Sequence, residues 1–175
     1  DWISPNPEGG YRDNPPVADG KKVILLDTDH LWGIGGNAVW VWKSFLRGHH
    51  PLFMDPYDGL VLGERFERQY EPLRRSLGAT RYWAERMDLS RMQPRPNLSS
   101  TGYCLACPAR EYLIYRPQGN GPITAQIVHG AYVIEWYDPD KEQIVKEDRI
   151  QASSNQTTLV SPKEGSIVLY LKRNE

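Results

Sequence analysis

The stretch Asp27-Thr-Asp-His30 carries the densest acid–base chemistry in the sequence, and Leu31-Trp-Gly-Ile-Gly-Gly36 follows it at once. Two carboxylates separated by one residue face the same way if the chain stays extended. Like charges held close raise the pKa of one partner, so one group can donate a proton while the other stays an anion. Glycosidic bond cleavage needs that division of labour. We therefore take Asp27, Asp29 and His30 as candidate catalytic residues. Trp32, Asp55, Tyr57 and Asp58 are candidate substrate-binding residues, Trp32 as a stacking platform. Each has a plainer reading. An Asp after a strand often caps the next helix, a His is held in a loop by hydrogen bonds, and a Trp packs in a core.

These residues fall where strands should end. Lys21 to Thr28 contains the apolar run Val23-Ile-Leu-Leu26, the pattern of a parallel strand covered on both faces. Asn37 can cap a helix from about Ala38 to Arg47, with Ala38, Val41, Trp42 and Phe45 on one stripe and Gly48 closing it. Pro51-Leu-Phe-Met-Asp55 is a second short apolar run, so strand, helix and strand form one βαβ unit. Active sites of parallel α/β folds lie at such strand ends. Residues 1–20, rich in Pro, Gly, Asn and Asp, read as a loop or extended arm.

Pro72 suits the first turn of a further helix, with Leu73, Leu77, Tyr82, Trp83 and Met87 as packing residues. From Gly102 the apolar period changes to two. Tyr103–Ala106, Glu111–Arg116, Ile123–Val128, Tyr132–Tyr137, Thr157–Val160 and Ser166–Lys172 read as short strands of an antiparallel β-sandwich. The expected organisation is an α/β segment over 1–100 and a β-sandwich over 101–175, with the boundary near 98–102.

Composition excludes several classes. Of the 175 residues, 39% are hydrophobic and 25% charged, and the net charge is −1, which gives no basis for capturing nucleic acid. No apolar run approaches the ~18 residues of a membrane span. The start, Asp1-Trp-Ile-Ser-Pro, lacks Met and a signal peptide and reads as a processed chain or a fragment. Cys104 and Cys107 are the only cysteines, too few for a zinc site. They read as packing residues, or as a disulfide or oxidation-sensitive pair. A metal site from Asp27, Asp29, His30 and Asp55 matches no strong spacing. Gly33-Ile-Gly-Gly36 lacks the phosphate-loop pattern and its lysine. No Gly-x-Ser-x-Gly is present. We expect no cofactor and no metal. His49-His50 read as capping or surface residues.

Three segments together resemble a known family: Asp27-Thr-Asp-His-Leu-Trp-Gly-Ile-Gly-Gly36, Val41-Trp-Lys-Ser-Phe-Leu-Arg-Gly48 and Phe53-Met-Asp-Pro-Tyr57. They are similar to the end of the catalytic barrel of bacterial apiosidase-like (β/α)8 glycoside hydrolases. Tyr82-Trp-Ala-Glu-Arg-Met-Asp88 and Ser100-Thr-Gly-Tyr-Cys-Leu-Ala106 continue the likeness. Glu111-Tyr-Leu-Ile-Tyr115, Glu135-Trp-Tyr-Asp-Pro139 and Val168-Leu-Tyr-Leu-Lys172 resemble that family's C-terminal β-domain, which is named for collagen binding.

The resemblance implies that Lys21–Thr28 is the seventh barrel strand and Pro51–Met54 the eighth. Asp27 or Asp29 then stands at the nucleophile position, where related barrels commonly carry Glu. The acid/base partner would belong to strands outside this sequence. The resemblance also implies a polysaccharide or oligosaccharide substrate and a secreted or periplasmic location; from the charge balance we expect no nucleic-acid or membrane partner. Two strands cannot close a barrel. If the chain is complete, residues 1–100 must pack on the β-sandwich, rearrange, or pair with another copy, since open sheet edges invite homo-oligomers.

Three functions are thus open: a carbohydrate-active hydrolase or part of one, a binding module using Tyr112, Tyr132, Trp136 or Tyr170, and a structural accessory domain with those aromatics buried.

Overall fold

The computed structural model describes residues 1–55, 68–154 and 156–174. Three strands form a parallel sheet: β1 (Trp2–Ile3), β2 (Val23–Asp27) and β3 (His50–Leu52), in the order β1-β2-β3. Trp2 lies opposite Val23, and Leu25 opposite His50. β1 falls in the segment expected to be a loop; a two-residue strand is too short to show a period. The covering of β2 also differs from expectation. Ile24 and Leu26 are buried, whereas Val23 is 48% exposed and Leu25 half-buried. Only one face of the sheet is packed.

Two short segments link the strands. The chain turns into helix α1 (Thr28–Trp32) directly after β2, and helix α2 (Ala38–Leu46) carries it to β3. Asn37 caps α2, its Oδ1 accepting the Trp40 N–H at 2.9 Å. A single buried stripe does not describe α2. Trp40 and Val41 join Ile24, Leu26 and Leu31 against the parallel sheet. Trp42 and Leu46 point the other way, into a second core. Four buried apolar residues in the seven from Trp40 to Leu46 are enough to cover two sides of a helix.

The longest helix, α3 (Glu71–Arg86), has Pro72 in its first turn. Leu73, Ala79 and Trp83 are buried, Leu77 is half-buried, and Tyr82 is 44% exposed.

The antiparallel half is one six-stranded sheet. It comprises β4 (Gln93–Pro94), β5 (Cys104–Cys107), β6 (Glu111–Arg116), β8 (Gly130–Asp138), β9 (Gln143–Ala152) and β11 (Ile167–Arg173), in the order β4-β5-β6-β11-β8-β9. Strands β7 (Ile123–Ala125) and β10 (Thr157–Leu159) pair as a separate ribbon. The expected antiparallel strands are present, but they form one six-stranded sheet and a two-stranded ribbon rather than two comparable sheets of a sandwich.

β11 shows how the sheet is covered. Ile167, Leu169 and Leu171 pack toward the ribbon with Ile114, Ile123, Trp136 and Leu159. Val168 and Tyr170 pack toward the helices with Trp42, Trp83, Tyr115 and Tyr137. The helices of the first half therefore sit on the sheet of the second and share its core. β9 has no counterpart in the sequence reading. It is an edge strand whose Lys146-Glu-Asp-Arg149 is exposed, and such charged edges hide the apolar alternation.

Cys104 packs on the ribbon side of β5 and Cys107 on the helix side. Three positions along a strand put their Cα atoms about 10 Å apart, beyond the ~7 Å a disulfide tolerates. Burial pushes the Cys104 thiol up to about 12. In the folded protein we expect one thiol, Cys107, to react with a thiol reagent, and the second only on unfolding. Trp42 is fully buried and stacks on Tyr115 at 5.8 Å. Trp42→Ala should lower stability by about 3–5 kcal/mol, measured by urea unfolding.

Candidate active site at the strand ends

Parallel strands end on the same side, so the loops after β1, β2 and β3 form one rim. Ser4 follows β1, Asp27 closes β2, α1 carries Thr28 to Trp32, and Phe53 to Asp55 follow β3. Hydrogen bonds lace these segments together. The hydroxyl of Thr28, which is fully buried, accepts the Met54 N–H at 2.9 Å. Ser4 Oγ lies 2.8 Å from His30 Nδ1. The Arg12 guanidinium donates to the Leu31 carbonyl.

Asp27 and Asp29 do not lie on one extended stretch. Asp27 is extended, with φ −91° and ψ 126°, and the helix begins at Thr28. Asp27 Oδ1 accepts the Asp29 N–H at 3.0 Å. Asp27 is thus the N-cap of α1, the plainer of its two readings, and it is half-buried. Asp29 sits in the first turn with its carboxylate exposed. His30 is exposed beside it and anchored by Ser4. The sequence offered no reason to select Ser4, since its link to His30 spans 26 positions.

Trp32 is half-buried and meets the buried Trp40 edge-on, 5.2 Å between ring centroids. One side of the ring is therefore spent on packing. The glycines after it allow a turn and close approaches, with Gly35 so near that a Cβ would meet Trp32 at 2.8 Å. Gly33 ends α1 at φ 76°, and Gly36, at φ 91°, passes so close that a Cβ would meet Leu73 at 2.9 Å and Thr28 at 3.2 Å. Asp55 accepts two hydrogen bonds from Arg74, one of 2.8 Å from Nε. Arg74 also covers the Phe53 ring at 5.4 Å. Tyr57 and Asp58 lie outside the described residues. Among the described residues, no three His, Cys, Asp or Glu side chains converge as metal ligands.

His49 is no surface residue. It is 1% exposed, and its Nε2–H donates to the Pro16 carbonyl at 2.6 Å. Burial holds its pKa below the usual imidazole value, although the Pro16 bond opposes this.

The aromatics expected on a ligand face of the β-sheet are buried: Tyr112 0%, Tyr132 1%, Trp136 2% and Tyr170 3% exposed. The Tyr112 hydroxyl accepts the N–H groups of Ala109 and Val128, and the Tyr132 hydroxyl donates to the Val128 carbonyl. The Tyr112 and Tyr132 hydroxyls thus hold loops in place.

No protein-family model matches the chain, and no curated protein sequence does. Among solved structures it is similar to a glycoside hydrolase family 5 protein from Bacteroides vulgatus, at 15% identity and a TM-score of 0.50. That match covers 78% of this chain and 35% of the other. A second structure, described as a glycoside hydrolase, aligns at 12% identity and a TM-score of 0.49, covering 90% of this chain and 44% of the other. The chain thus spans less than half the length of either structure. At such identities the likeness, to the family 5 structure, concerns the fold alone.

The cap and the chemistry of Asp27 can be separated. Asn caps as well as Asp, and Ala does not. Asp27→Asn should leave the thermal midpoint nearly unchanged, and Asp27→Ala should cost about 1 kcal/mol, read from denaturant unfolding.

Proposed function

We propose that the chain belongs to a carbohydrate-active, glycoside hydrolase-like protein and that its strand-end rim forms part of the sugar-cleaving site. One observation carries this reading: three parallel strand ends bring Ser4, Asp27, Asp29, His30 and Asp55 to one rim. The likeness of the fold to part of a family 5 glycoside hydrolase supports it. So does the half-open face of β2, whose apolar run suits a layer with more neighbours than the described residues supply.

Within the rim the roles divide. Asp29 is the reacting carboxylate, because it is exposed and no structural hydrogen bond occupies its side chain among those described. Asp27 holds α1 and aims the Asp29 backbone. Ser4 fixes the ring of His30, which supplies a hydrogen bond or a proton beside Asp29. The free side of Trp32 offers a sugar its apolar face, and Asp55, held by Arg74, lines the far side. The second carboxylate of the pair that hydrolysis requires would come from outside these strands. The finer likeness, to apiosidase-like enzymes acting on polysaccharide outside the cytoplasm, belongs to the same proposal. For the antiparallel sheet we infer a supporting role, favoured by the burial of its aromatics.

Release of reducing sugar from a panel of plant and microbial polysaccharides tests the proposal. Asp29→Asn should lower turnover by about 10²-fold or more, and Asp27→Asn by much less. Equal activity in Asp29→Asn and the parent would remove Asp29 from the reaction.

A further inference from the structure

A concavity of about 490 Å³ lies on the side of the molecule where α3 meets the β8–β9 hairpin. Arg75, Gly78 and Tyr82 line it from the helix, and Tyr137, Glu142 and Gln143 from the hairpin. None of these residues belongs to the strand-end rim.

Gly78 stands in the middle of α3, where glycine weakens a helix relative to alanine. Such a residue is usually kept because a neighbour packs against it. Here a Cβ built at Gly78 would meet nothing within 4 Å. The protein's own packing gives no reason for the missing methyl, and the open space lies in the groove.

Tyr82 is the second observation. It is 44% exposed, yet it is held. Its hydroxyl accepts an N–H from Arg86 at 2.9 Å, and Arg86 is itself clamped by Glu135 at 2.7 and 2.8 Å. The edge of Trp83 fixes the ring from another side, 5.4 Å away. An exposed ring that has already lost its freedom binds at low entropic cost.

The charges of the groove are matched. Arg75 pairs with Glu71 at 3.0 Å and with Glu142 at 3.2 Å. Glu142 adopts φ 55°, a conformation that favours glycine or asparagine, yet a side chain able to reach Arg75 stands there. A neutral groove with a fixed ring, paired planar donors and acceptors, and an amide at Gln143 suits a neutral polyhydroxylated ligand.

We propose that this groove binds a neutral oligosaccharide segment, apart from the strand-end rim. One face of a sugar ring stacks on Tyr82. Its hydroxyls bond to Arg75, Glu142 and Gln143, and Gly78 leaves the clearance for it to lie against the helix. The choice of a sugar rests on the function proposed above, whereas the groove does not depend on it.

The test is calorimetric titration with soluble neutral oligosaccharides cut from xylan, mannan and β-glucan. It compares the parent chain with Gly78→Ala, Tyr82→Ala and Asp29→Asn. Gly78→Ala should melt at a higher temperature and yet bind about tenfold more weakly. That opposition separates a clearance role from misfolding. Tyr82→Ala should weaken binding by a similar factor, Asp29→Asn should leave the Gly78- and Tyr82-dependent binding step in place, and added salt should have little effect. No binding by the parent chain would overturn the proposal, as would binding indifferent to both groove substitutions. Binding lost only in Asp29→Asn would place the sugar at the rim alone, keeping the hydrolase reading and ending this one. A dimer seen by light scattering that Gly78→Ala dissociates would give the groove to a second copy and also overturn it.

Discussion

Everything else in the structure depends on the burial of α2 between two sheets. Trp40 and Val41 seal the parallel sheet, and Trp42 and Leu46 seal the helix-facing side of the six-stranded sheet. A helix buried on one side would leave the two halves as neighbours joined by a strand. A helix buried on both makes the position of β2 and β3 depend on the antiparallel core. The rim at the strand ends inherits that rigidity. α3 reinforces it, with Leu73 in one core and Trp83 in the other. Loss of one such tryptophan would remove about 3–5 kcal/mol from a total that is about 5–15 kcal/mol for a typical domain.

The rim is built from short links rather than from a deep pocket. α1 has five residues, and one side-chain cap starts it. Thr28 ties it to the segment after β3, and Ser4 ties it to the segment after β1. These bonds leave Asp29 and His30 facing solvent while their backbone is held. Fixed backbone with accessible acid–base groups is the arrangement a reactive centre requires, since reorganisation is avoided at the moment of reaction. The parallel sheet has two open edges among the described residues, at β1 and β3.

Much of this was legible in the sequence, for reasons that differ between elements. The run Val23-Ile-Leu-Leu26 and the Asn37 cap set β2 and the start of α2, and Pro72 set the start of α3. The period of two marked Ser166–Lys172 as a strand, and it is apolar on both faces because a central strand is covered on both: Ile167 and Leu169 face one core, Val168 and Tyr170 the other. β9 was hidden because an edge strand carries charge where a central one carries Val or Ile. β1 was hidden because it is two residues long. At the rim, the spacing of Asp27 and Asp29 suggested a shared face, but the strand gives way to a helix between them. The cap role of Asp27 could be read from residue type alone. The partners Ser4 and Arg74 could not, since each comes from a distant part of the chain. Tyr112, Tyr132, Trp136 and Tyr170 offer no ligand face because both sides of the sheet are covered, by the ribbon and by the helices, which composition does not reveal.

Under the proposed function, sugar meets this protein at the strand ends, at Asp29, His30 and Trp32. The most direct measurement is a nuclear magnetic resonance titration of the isotopically labelled chain with neutral oligosaccharides, following backbone amides and the Trp32 indole. The account predicts saturable shifts at residues 29–32 and at Ser4, with the buried amides of β6 and β11 unmoved. Shifts absent from the strand-end rim at saturating sugar would contradict it.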